Sequence, residues 1–72
     1  MSYIINIKLK QLMKEFNVTQ RDLEKMTGLS RRTISELSNN KMERIPKSAL
    51  SKIGEAFAIE DIRELIDFKN EQ

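Results

Sequence analysis

Leu9, Leu12, Met13 and Phe16 recur at i, i+3, i+4 and i+7, a stripe that predicts a first helix over about residues 7–16, with Asn6 as its cap and Asn17 as its end. Leu23 and Met26, then Ile34 and Leu37, repeat the three-residue step on two shorter segments, about 20–27 and 31–38. Ala49, Leu50, Ile53 and Phe57 supply the buried face of a fourth helix at about 47–57, and Pro46 suits its start, where a missing N–H does no harm. Ile62, Leu65 and Ile66 predict a short fifth helix at about 61–67. The expected fold is all-α: a compact bundle of five short helices forming a single domain over residues 1–72. The alternating start, Tyr3, Ile5 and Ile7, is also the pattern of a brief strand. Such a strand needs a partner, either the loop near Arg44 and Ile45 or the same segment of another subunit. Residues 39–46 are polar and carry no helical stripe, so they read as a loop, and Lys69 to Gln72 read as a short tail.

The second and third segments carry the strongest local signals. Thr19 is placed to N-cap the second helix, with Asp22 three residues on to complete a capping box and Val18 and Leu23 as a hydrophobic staple. Gly28 stands where that helix must stop, because a left-handed residue there costs glycine little. Ser30 caps the third helix, and Leu29 with Ile34 repeats the staple. Two capped helices this close in sequence cannot run collinear. Leu23 and Met26 are expected to pack on Ile34 and Leu37 across a steep crossing, which is the layout of a helix-turn-helix.

With Thr19-Gln20 opening one helix, Leu23, the Thr27-Gly28-Leu29-Ser30 turn, Ile34 and Leu37 in the next helix, and Asn39-Asn40-Lys41 after it, the chain resembles the Xre/Cro-type (phage-repressor-like) helix-turn-helix family. The resemblance runs on through Pro46, Leu50, Ile53, Ala56 and Phe57. Two positions depart from the family's habit: Glu24 stands where alanine is usual, and Asn40 where glycine is usual. The resemblance implies binding to double-stranded DNA through the major groove, commonly by a homodimer on an inverted repeat. It also implies that Gln20 clamps a phosphate.

Composition narrows the alternatives. With no cysteine and no histidine, the chain lacks thiol nucleophiles, disulfides, Cys/His zinc sites and any imidazole base, so an enzyme is not expected, nor a metal, a cofactor or a small-molecule ligand. The apolar run Tyr3 to Ile5 is too short for a signal core or a membrane span, so the expected location is cytoplasmic, at the nucleoid of a bacterium. Net charge is +2, but residues 1–54 hold 11 of the 13 basic residues against five acids, whereas residues 55–72 hold Arg63 and Lys69 against six acids. A polyanion would meet the basic part and leave the acidic end outside.

On the third helix Ile34 and Leu37 define the buried side, which leaves Arg32, Ser35, Glu36 and Asn39 facing outward with Arg31 at the edge. Arg31, Arg32, Ser35 and Glu36 are the candidate base readers: an arginine fork suits guanine O6 and N7, and a glutamate accepts from cytosine N4. The plain alternative for Arg32 and Glu36 is an i,i+4 surface ion pair. Gln20, Asn39, Lys41 and Arg44 are the candidate phosphate contacts, with helix capping as the alternative for Asn39 and solvated loop charge for Lys41 and Arg44. Lys8, Lys10 and Lys14 are weaker candidates. Ile4, Ile5, Ile66 and Phe68 are hard to place in so small a core and point to a closing sheet and helix or to a dimer patch.

The sequence therefore leads to sequence-specific DNA binding by a bacterial or phage transcriptional regulator, a repressor before an activator. With no room for a sensor domain, control would come from its own concentration, from proteolysis or from a partner. The rival reading is a protein-interaction module, such as an antitoxin-like regulatory partner.

Overall fold

In the computed structural model, which describes residues 2–71, two strands from the ends of the chain close over four helices. The order is β1 (Ser2–Ile7), α1 (Leu9–Glu15), α2 (Gln20–Thr27), α3 (Arg31–Ser38), α4 (Lys47–Ala56), a 3₁₀ turn (Ile62–Glu64) and β2 (Ile66–Glu71). Met1 and Gln72, part of the expected domain, lie outside the described residues.

The four longer helices fall within two residues of their expected bounds, and the fifth is replaced. Residues 61–67 form only a 3₁₀ turn before the chain extends into β2, so the fold is mostly helical with a two-stranded antiparallel sheet. Ile66-Asp67-Phe68-Lys69 alternates apolar and polar, a period-two pattern that overlaps the short i,i+3,i+4 pattern of Ile62, Leu65 and Ile66. Pairing with β1, register Ser2↔Glu71 to Ile7↔Ile66, decides for the strand. Neither expected partner of the N-terminal strand is the one observed, and Lys69 to Glu71 belong to β2 rather than to a tail. Asn6 does not cap α1. It lies in β1 and donates to Asp67 Oδ1 across the ribbon at 3.0 Å, while Lys8 occupies the N-cap position without a side-chain cap.

Ile7, Leu9, Leu12, Leu23, Ile34, Leu37, Ala49, Ile53, Phe57 and Leu65 form the core. Met26 and Ile62, expected inside, are half or more exposed, and Phe16 lies on the rim with its ring edge-on to Phe57 at 5.2 Å. Thr27 takes the inward place beside Leu23. Its hydroxyl donates to the Leu23 carbonyl at 2.7 Å and accepts from the Leu29 N–H at 3.1 Å, which satisfies two backbone groups at the turn.

Candidate DNA-binding surface

The surface is built from the ends of helices. At the start of α2 the Thr19 hydroxyl accepts from the Asp22 N–H, and the Asp22 carboxylate accepts from the Thr19 N–H, each at 3.1 Å. The Asp22 carboxyl is held below its ordinary range, chiefly by that backbone bond and next by the Thr19 side chain. The helix ends at Gly28, φ 75°, a left-handed position that a Cβ would strain. Ser30 restarts the chain as a helix by accepting from the Thr33 N–H at 3.2 Å. Both caps and the glycine stop follow the sequence expectation.

These caps bring Gln20, Arg31, Arg32, Ser35 and Glu36 around one shallow concavity. The expected base readers and the expected phosphate clamp thus adjoin. Arg32 Nε donates to Glu36 Oε1 at 3.0 Å, with the arginine side chain 89% exposed. An exposed pair of this kind contributes only a few tenths of a kcal/mol, on the order of 0.3–0.5. Its consequence is orientation, not stability. Arg31 has a second carboxylate: its Nε lies 3.6 Å from Glu24 Oε2, so α2 reaches across the turn to the first residue of α3.

Asn39 ends the same helix, and its Nδ2 lies 3.4 Å from the Oγ of Ser35, which lines that concavity. Its Nδ2 donates to the Ser35 carbonyl at 2.9 Å, and its Oδ1 accepts from Lys10 Nζ at 3.4 Å. It caps and it connects α3 to α1. Lys10 and Lys14, one helical turn apart on α1, line a groove with Gln11, Asn39 and Asn40 and a second one with Asn17, Thr19 and Gln20. They adjoin both Asn39 and Gln20, a proximity for which the sequence held only their four-residue spacing as a signal. Lys8 lines the first of these grooves as well, with its ammonium paired to Asp67 at 3.3 Å. Lys41 lines a separate concavity with Ile4, Ile5 and Met42, and Arg44 is exposed in the same loop. The structure therefore joins Gln20 to the α3 head, joins Asn39 both to Ser35 of that head and to Lys10 of α1, and sets Lys41 and Arg44 in the loop beyond.

The family model of the Cro/C1-type HTH DNA-binding domain matches residues 8–71. The chain belongs to that family. No curated protein and no solved structure matches it. As a Cro/C1-type domain it binds DNA, and its two departures from the family's habit acquire a physical meaning. Glu24, in place of a small residue, supplies the carboxylate beside Arg31. Asn40, in place of glycine, takes φ 55° and closes α3 with its N–H on the Leu37 carbonyl at 3.1 Å and the following Lys41 N–H on the Glu36 carbonyl at 2.8 Å, a Schellman ending. Its Nδ2 also donates to the Ile5 carbonyl of β1 at 2.9 Å, a bond that glycine has no side chain to make. Among the described residues no helix is long and apolar enough to cross a membrane.

Proposed function

We propose that this Cro/C1-type domain is a sequence-specific transcriptional regulator of the bacterial or phage kind, a repressor that occupies a promoter-overlapping operator as a homodimer on an inverted repeat. The observation that carries the reading is the shared concavity of Gln20, Arg31, Arg32, Ser35 and Glu36 at the first turns of α3. Arg31 and Arg32 reach for guanine edges, Ser35 and Glu36 for neighbouring bases, and Gln20 for a phosphate beside the α2 N-terminus. Glu24 and Glu36 pair with the two arginines and lower the local positive charge, so attraction to phosphate alone is weakened relative to base readout. Asn39, Lys41 and Arg44, joined by Lys10 and Lys14, line the backbone on either side.

Selection of bound fragments from random duplex DNA, followed by titration of the selected and of random duplexes across a salt series, tests the reading. With about five to eight phosphates neutralised per bound unit, log affinity falls against log salt with a slope of about −5 to −7. Arg32→Ala costs about 1–3 kcal/mol on the selected site and relaxes one base position per half-site, with little loss on random DNA. Glu36→Gln tightens random binding and erodes the preference at a neighbouring base pair. No enrichment in the selection together with a flat salt dependence would sink the reading and favour a protein partner.

A further inference from the structure

Arg31 and Arg32 open α3, and each meets a carboxylate through the same atom. Arg32 Nε is 3.0 Å from Glu36 Oε1 on its own helix, and Arg31 Nε is 3.6 Å from Glu24 Oε2 on α2. Among the described residues, the terminal amino groups of both arginines donate to no protein group. A guanidinium has five N–H donors in a fixed plane. A carboxylate on Nε leaves the two terminal nitrogens, which suffice for a bidentate pair with guanine O6 and N7.

Stability does not account for Glu24. Its side chain is 31% exposed and that of Arg31 71%, and an ion pair so open to solvent, and longer than a hydrogen bond, contributes little. What the glutamate changes is the field at the head of α3. The first turn of that helix holds no acid, while its N-terminus carries the positive end of the helix dipole and two arginines. That combination attracts any anion, a phosphate included. Glu24 brings a carboxylate from outside the helix. It lies one turn beyond Gln20 on the same face of α2, and Gln20 lines the concavity with Arg31, a set to which Glu24 itself does not belong.

We propose that Glu24 is a specificity-determining residue of this DNA site, acting through Arg31 without touching a base. It occupies the Nε side of Arg31, which leaves the terminal nitrogens to a guanine, and its charge makes a phosphate a poorer ligand for the same arginine. Such a role rests on the DNA-binding reading of the α3 head and deepens it: the choice of base at the position read by Arg31 is set from the other helix of the motif. Arg32 has its own acid in Glu36. Each half-site therefore has two guanine positions, and only the one read by Arg31 depends on Glu24.

Duplexes selected from random DNA by the unmodified chain, and random duplexes of equal length, are titrated with Glu24→Ala, Arg31→Ala and the double variant, with thermal melting by circular dichroism as the check on folding. Glu24→Ala tightens binding to random DNA by about threefold and weakens binding to the selected site by about threefold or more. It relaxes the same base position as Arg31→Ala, while the position read by Arg32 keeps its preference. The freed arginine neutralises one more phosphate, so the salt slope on random DNA steepens by about 0.9. Glu24→Gln, of equal length without the charge, matches Glu24→Ala on random DNA. In the Arg31→Ala background, exchanging Glu24 changes the ratio of selected to random affinity by less than about twofold, because the group through which it acts is gone. An unchanged ratio in Glu24→Ala, a loss shared equally by both duplexes, or the same change of ratio with Arg31 absent overturns the proposal. Those results leave selection by the unmodified chain intact, whereas no selected site and a flat salt dependence overturn the DNA reading itself, and this role with it.

Discussion

The helix-turn-helix and the terminal ribbon are both short and both essential to the shape, yet they are held by contacts of very different reach. Between Thr19 and Asn39 the fixing bonds span two to four residues: Thr19 with Asp22, Ser30 with Thr33, and Thr27 with Leu23 and Leu29. In the ribbon Asn6 meets Asp67, 61 positions away, and β1 finds its pairing partner only at the far end of the described chain. The motif buries Leu23, Ile34 and Leu37 completely, whereas the outer half of the ribbon leaves Tyr3 and Phe68 largely in solvent. The comparison separates two kinds of specification. A recognition surface can be assembled from local chemistry, and the element that closes the fold depends on everything between its strands.

Truncation inside each region should break this comparison most sharply. Ile34→Ala, at a fully buried site where α3 packs on the core, should cost about 2–5 kcal/mol in denaturant unfolding. Phe68→Ala, measured at concentrations too low for association, should cost under about 1 kcal/mol because the ring is mostly exposed. Equal losses would mean that the ribbon is as deeply integrated as the motif.

Asn40 joins the two regions, and replacing it sharpens the contrast. Asn40→Gly keeps the left-handed position but loses the bond to Ile5, a loss of about 0.5–1.5 kcal/mol. Asn40→Ala loses the bond and adds left-handed strain, for a total of about 2 kcal/mol or more. The reverse order in thermal unfolding would show that backbone conformation is not what asparagine serves there.

The capping box sets a smaller, local test. Thr19→Ala should cost about 1 kcal/mol and leave β1–β2 pairing intact by amide exchange. The folded-state pKa of Asp22 lies below its ordinary value, as do those of Asp61, through the bonds from Arg63, and Asp67, through Asn6 and then Lys8. A carboxyl lowered on folding contributes stability above its unfolded pKa, about 3.9, and loses that contribution as pH falls through the folded value. Stability should therefore decline below about pH 4, and Asp22→Asn or Asp67→Asn should flatten that decline. An acid limb unchanged in both variants would count against these bonds.

The smallest effect is expected at Ala58, which takes φ 53° to close α4, with its N–H on the Glu55 carbonyl and the Ile59 N–H on the Gly54 carbonyl. Ala58→Gly should raise stability by about 0.5–1 kcal/mol, the relief of left-handed strain exceeding the entropy that glycine adds to the unfolded chain. Destabilisation would show that the alanine methyl makes a contact worth more than the strain.

From the sequence alone, the caps at Thr19 and Ser30, the stop at Gly28, the four longer helices and the outward set Arg31, Arg32, Ser35 and Glu36 could be read, because each depends on residues within a turn or two of itself. Asn40, left-handed in the structure, stood out only against the glycine that the resemblance implies. The fate of Ile62, Leu65 and Ile66 was not. Three apolar residues at helical spacing and an alternating run starting at Ile66 compete over the same few positions, and neither local pattern is long enough to prevail. Only pairing with β1 decides, burying Leu65 and turning Ile62 outward. The same holds for the exposure of Met26, the inward hydroxyl of Thr27, the reach of Glu24 to Arg31 and the approach of Lys10 and Lys14 to Asn39 and Gln20. Local hydrogen bonds and helical periodicity are encoded in neighbouring residues, whereas which face a short element turns to its neighbours is set by helices and strands that exist only once the chain has folded.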